Sequence, residues 1–182
     1  MQGFTMIELI VVIVILGILA AVALPRFTNI QRDARVAKLN AARGAVQAAA
    51  AMVHGAALSR AGQGAITIGG CVANTTAAGG GQICTESGAV NVVNWYPTAA
   101  LAGIVNASGI ISTFPATAQL LAAEQYTTQV ANGAITIRVT GGTDPNQCFF
   151  TYRPSNVAGA AGSAAMIGAV NPPTANGDTR GC

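Results

Sequence analysis

The chain has 182 residues, of which 52% are hydrophobic and 8% charged, with 22 glycines and a formal net charge of +3. So low a charge content points to a chain that lives outside the cell or packed against copies of itself, and a balance of +3 singles out no class of charged partner. Beyond the N-terminal segment enough chain remains for one modest domain with a core of its own.

The chain opens on an apolar run. Phe4 to Leu24 is broken only by Thr5 and Glu8, contains the small Gly17 and is closed by Pro25. At about 1.5 Å per residue, a helix of this length spans roughly the 30 Å hydrocarbon core of a bilayer. A carboxylate inside such a helix costs about 2.5–3.5 kcal/mol on insertion scales, so Glu8 asks for a partner and a purpose. Three readings compete. One is a secretory signal cut at the small-x-small string Ala21-Val22-Ala23, although ordinary signals begin with basic residues and Met1-Gln2-Gly3 has none. The second is a plain anchor with Glu8 snorkelling to the headgroups. In the third the cut falls before the apolar part, at Gly3–Phe4, and the helix survives into the mature protein.

The string Gly3-Phe4-Thr5-Met6-Ile7-Glu8-Leu9 resembles the processing site of type IV prepilins and the related type II secretion pseudopilins, and Gly17, Pro25 and Phe27 continue the likeness. The resemblance implies a leader at 1–3, cut after Gly3 by a prepilin peptidase that also methylates the new amine of Phe4. It implies a membrane and polymerisation helix at 4–25, in which Glu8 takes the amine of the preceding subunit and sets the axial register of a homopolymer. Opposite charges in low dielectric would offset the cost of burying either one. Gly17 and Pro25 would form a joint where the helix kinks or melts in the fibre. One departure stands out: prepilin leaders usually carry Lys or Arg, consistent with the positive-inside rule, and this one does not.

Residues 26–55 read as the amphipathic half of the same helix. Ile30, Ala34, Ala37, Ala41, Ala45, Ala48 and Met52 form a narrow stripe of mostly small side chains, and Val36, Leu39, Val46 and Val53 a bulkier one. Two apolar faces fit packing on the chain's own head on one side and on neighbours on the other. The basic residues Arg26, Arg32, Arg35, Lys38 and Arg43 are expected on a solvated helix face, with lipid headgroups as the alternative.

Residues 56–182 read as a head of loop and strand. A short strand is expected at Ala65–Ile68, an apolar run at Val90–Trp95, and short helices at Thr98–Val105 and Ala116–Gln125, the second started by Pro115. Tyr126–Ala131 and Ala134–Thr140 flank Asn132-Gly133, a strong two-residue hairpin signal, and Gln147–Tyr152 can add a third strand. The expectation is an α+β fold in which the long helix packs on one small antiparallel sheet of three or four strands. That is the pilin fold of the resembled family. Val157–Val170 is low-complexity Ala and Gly, and Asn171–Gly181 a proline-containing tail that needs an anchor.

Cys71, Cys84, Cys148 and Cys182 have no C-x-x-C spacing, which argues against zinc and redox motifs. In an exported domain they would oxidise, and three pairings are possible. Cys71–Cys84 with Cys148–Cys182 is favoured because each bond closes a glycine-rich segment with little core. On the chain-entropy model these contribute roughly 3 and 4 kcal/mol. The second would resemble the disulfide-bounded C-terminal loop of many pilins.

No catalytic constellation, cofactor motif or metal-ligand cluster is expected. His54 is the sole histidine and reads as structural or merely exposed; Glu86, Glu124, Asp144 and Asp178 are scattered, and Gly79-Gly80-Gly81 lacks the lysine of a phosphate loop. Arg138, Arg153 and Arg180 with Tyr152 form a weak signal for DNA, and Asn74 and Asn106 head glycosylation sequons. The resemblance therefore implies no enzyme but a pilus subunit, held in the inner membrane as precursor and then in an extracellular fibre for adhesion, twitching motility or DNA uptake. Its partners would be itself, the peptidase, the inner-membrane assembly machinery and minor pilins, with a host surface or DNA unsupported. The alternative is a type II secretion pseudopilin, against which the length, four cysteines and absent acidic cluster argue. Retention of Glu8 argues against a tip subunit.

Overall fold

The computed structural model describes residues 5–86, 88–156, 164–168 and 177–182, and for 25–29 the backbone alone. One helix, α1 (Met6–Ser59), runs through the first third of the chain. It is helical through Gly17 and Pro25 without a break, so the pattern on both sides of the proline belongs to one element.

The head is two antiparallel sheets laid along the second half of α1. The first is a meander of β1 (Ile66–Ile68), β2 (Cys71–Thr75), β3 (Gly81–Thr85), β4 (Gly88–Val93) and β5 (Tyr96–Pro97) in chain order. The second has β6 (Tyr126–Ala131), β7 (Ala134–Val139) and β8 (Phe149–Arg153). Two short strands line the far side of β8: β9 (Met166–Ile167) against Tyr152–Arg153, and β10 (Gly177–Asp178) against Phe149–Phe150. A wide helical turn at Leu101–Val105 leads into α2 (Asn106–Ser108), and α3 (Ala118–Ala123) precedes β6.

The single sheet expected from the sequence is thus two. The second is the expected one: Tyr126–Ala131 and Ala134–Val139 pair about Asn132-Gly133, and Ile135, Ile137 and Val139 are fully buried. Its third strand begins at Phe149 rather than Gln147, because Asp144 caps a tight turn at Pro145–Gln147 through Asn146 N–H. In the first sheet β1 is the strand expected at Ala65–Ile68 and β4 overlaps the apolar run at Val90–Trp95, while β2, β3 and β5 are new. β2 and β3 read Cys-Val-Ala-Asn-Thr and Gly-Gln-Ile-Cys-Thr, too short and polar to stand out, yet they pair because the chain can approach itself at glycine. A Cβ on Gly81 would overlap the Asn74 carbonyl, and its φ of +123° is one that only glycine adopts freely. Gln82 and Asn91, directly opposite on β3 and β4, share a side-chain hydrogen bond of 3.0 Å. The expected helix at 98–105 starts at Leu101. The one at 116–125 is shorter, with Thr117 as its cap accepting from Leu120 N–H rather than Pro115 as its start.

Both sheets share the helix. Leu39, Ala42, Val46, Ala49 and Ala50 pack with Ile135, Ile137, Phe150 and Tyr152 under the second sheet. One turn further, Val53 and Ala57 pack with Ile83, Val90, Val92 and Trp95 under the first. The bulky stripe named above therefore lies on the packed face.

Two disulfides close the head. Cys71–Cys84 joins β2 to β3 with Cα atoms 5.9 Å apart, and Cys148–Cys182 joins the start of β8 to the last residue at 4.8 Å. The second bond, the β10 pairing and the Gly181 N–H donated to Gln147 O at 2.9 Å anchor the C-terminal segment. Of the low-complexity stretch at 157–170 and the tail at 171–181, residues 157–163 and 169–176 lie outside the described residues.

Candidate functional site

The segment that stands apart is the first half of α1. Met6–Leu24 has a mean hydropathy of 3.1 and none of it is buried in the head. Ile7, Ile13, Leu16 and Leu19 are all more than half exposed. Roughly a dozen Leu, Ile and Val residues at about −0.3 to −0.6 kcal/mol each outweigh one carboxylate in a bilayer. Glu8 has a local role that sequence reasoning missed. Thr5 is the N-cap: its Oγ1 accepts from Glu8 N–H at 3.3 Å, and Glu8 Oε2 accepts from Thr5 N–H at 3.3 Å. This is a reciprocal capping box, and its Thr-x-x-Glu signature was present in the sequence. It matters most in hydrocarbon, where no water can satisfy the free N–H groups of the first turn. Gly3 and Phe4 lie outside the described residues. At Gly17 a Cβ would meet nothing within 4 Å, and at Pro25 only the helical backbone is described.

The second half of α1 presents the small-residue stripe outward. Ile30, Ala34, Ala37, Ala41, Ala48 and Met52 are exposed, and only Ala45 is half-buried. The basic cluster departs from the solvated face expected of it. Arg35 Nη1 donates to Cys182 O at 2.7 Å, Lys38 Nζ to Glu124 O at 2.5 Å and Arg43 Nε to Gly168 O at 2.7 Å. Lys38 also sits 4.6 Å above the Tyr126 ring. These three cations clamp the head to the helix by donating to main-chain oxygens of the last residue and of the residues just after α3 and β9. The side chain of Arg26 is outside the description, and Arg32 is exposed.

Residues 1–24 match the family described as the prokaryotic N-terminal methylation motif. The N-terminal segment carries that motif. The chain is similar to the type IV narrow pilus major component PilA5 of Thermus thermophilus, 49% identical over 51 residues. That match covers 28% of this chain and 44% of the relative, so the chain spans less than half the length of the protein it matches. No solved structure matches it.

In the head of this pilin-like chain the DNA signal separates into parts. Arg138 and Arg153 lie on the outer face of the second sheet, where Arg138 pairs in register with Phe149 and stands 5.9 Å from its ring. Tyr152 points the other way, is fully buried and donates to Pro97 O at 2.8 Å. Arg180 is held by Asp178 at 2.8 Å, and its hydrogen bond keeps the Asp178 carboxyl below the usual range. Three arginines and a tyrosine thus reduce to two cations on one sheet face, one of them, Arg138, beside a phenylalanine. His54 is a bracket: Nδ1 lies 3.1 Å from Trp95 O and the ring stacks on Tyr96 at 4.1 Å. Trp95 has φ +71°, rare for a bulky residue, and its N–H donates to Gly79 O. Of the two sequons, Asn74 is exposed and Asn106 is buried.

Proposed function

We propose that the chain is the structural subunit of a type IV pilus, cut after Gly3, methylated at Phe4 and polymerised through its N-terminal helix. The observation that carries this reading is the division of α1. Its first half is apolar and packs on nothing in its own chain, while its second half buries one face in the head and leaves a small-residue face open. In the precursor the first half would sit in the inner membrane, and in the fibre it would pack among its copies. Gly17 and Pro25 would then mark where that packing loosens the helix. Adhesion, twitching motility and DNA uptake are fibre-level activities such a subunit would serve. The name of the Thermus relative supports the pilus over the pseudopilus.

Glu8 would serve the monomer as a cap and the fibre as the partner of the next subunit's amine. One pair of substitutions separates the roles. Glu8→Gln keeps a competent capping-box residue but no charge, whereas Glu8→Val removes both. In cells carrying each variant as sole copy, fibres sheared from the surface are counted by electron microscopy and the chain is identified in them. Loss of fibres in both variants is expected. Normal fibres with Glu8→Gln would leave Glu8 as a cap alone, and absence of the wild-type chain from any surface fibre would favour the pseudopilus.

A further inference from the structure

A cavity of about 420 Å³ opens in the head between Glu86 and Gly88 on one side and the segment that follows α2 on the other, lined also by Asn106, Ile111, Ser112, Thr113 and Phe114. Its size is that of a small-molecule site. Three features show a built surface. Phe114 is 40% exposed although large and apolar, and its ring lies so close over Gly88 that any Cβ there would overlap it. Gly88 also has φ +104°, so backbone conformation and ring contact both demand glycine. Asn106 is only 5% exposed. Its Oδ1 accepts from Ala116 N–H at 2.8 Å, and because that N–H can only donate, the amide orientation is fixed. The Asn106 Nδ2 group makes no hydrogen bond to the described residues, and Asn106 lines the cavity. Glu86 adds a carboxylate at the rim that makes no ion pair among the described residues.

A ligand that fits must accept from a fixed amide, donate to a carboxylate and lay an apolar face on an aromatic ring. Glu86 disfavours anions, and no group of three metal-ligating side chains gathers among the described residues. A pyranose meets all three demands, since its hydroxyls both donate and accept while its ring C–H groups form an apolar face. We propose that this cavity binds a pyranose unit, free or at the end of a glycan, with Phe114 as platform, Asn106 Nδ2 as donor and Glu86 as acceptor. The site needs no polymer and is measured on the unassembled chain.

The test is saturation-transfer NMR on the full chain in a zwitterionic detergent without a sugar headgroup. The probes are the methyl pyranosides of glucose, galactose, mannose and N-acetylglucosamine, and disaccharides built from them. The expected result is transfer to the C–H protons of one face of a ring, confined to a terminal ring in the disaccharides if a glycan end is recognised. Glu86→Gln, at an exposed position, should weaken binding about tenfold, the scale of one hydrogen bond to a charged group. Phe114→Ala should abolish transfer, and Gln47→Ala on α1 should leave it unchanged. Absence of transfer to every sugar, or equal transfer in wild type and Glu86→Gln, would overturn the proposal, as would binding of short peptides alone.

Discussion

At Tyr152 the phenol donates to the Pro97 carbonyl at 2.8 Å in a site closed to solvent, tying the second sheet to the end of the first. Tyr152→Phe leaves that carbonyl unmet and should cost about 1–3 kcal/mol in urea unfolding of the head. Burial, and secondarily the neighbouring Tyr96, push the Tyr152 phenol well above its ordinary value. The folded state therefore holds the neutral form while the unfolded chain ionises above about pH 10. This share of stability is complete below that pH and is lost as pH rises through the alkaline range. The alkaline fall in stability should accordingly be shallower in Tyr152→Phe, with Tyr126, also raised by burial, supplying part of what remains. Asp178 has the opposite sign. The hydrogen bond from Arg180 lowers its carboxyl, so its contribution is present above the ordinary carboxylate range of about 4 and lost below it. Arg180→Gln should thus be less stable than wild type at neutral pH, and the two urea midpoints should converge in acid.

At the scale of elements, α1 and the second sheet were legible because their apolar periods are long and unbroken. Leu39, Val46 and Val53 fall on one side of a 3.6-residue repeat, and Ile135, Ile137 and Val139 on one side of a two-residue repeat. In the first sheet β1 was legible at Ala65–Ile68 and part of β4 in the apolar run Val90–Trp95, but β2 and β3 were not, since they are held by an adjacent glycine, a disulfide and pairing distant from any local pattern. Gly81→Ala tests that explanation. The added methyl would meet the Asn74 carbonyl, so the variant should lose at least about 1 kcal/mol of head stability, with amide exchange rising first in β2 and β3. Loss spread evenly over both sheets would contradict it. The capping box at Thr5 and Glu8 is written in the sequence as Thr-x-x-Glu, but inside an apolar run the same carboxylate also reads as a charge in lipid, which hides its role as an acceptor for its own backbone.

At the scale of the molecule, a head of two sheets hangs on one face of a helix that runs far beyond it. Arg35, Lys38 and Arg43 fasten that head, the Cys148–Cys182 bond pins its last residue, and the apolar half of the helix packs on nothing among the described residues. These cations were legible as a cluster but not as clamps, because their carbonyl partners lie 86 to 147 residues away in sequence. The account turns on that apolar half being kept in the mature protein rather than removed with a signal. Mass spectrometry of the N-terminus, on chain recovered from membranes and from sheared surface fibres, tests this directly. The account predicts a chain that begins at Phe4 with a methyl group on its amine in both fractions. A mature chain beginning at Leu24, without its apolar helix, would contradict it.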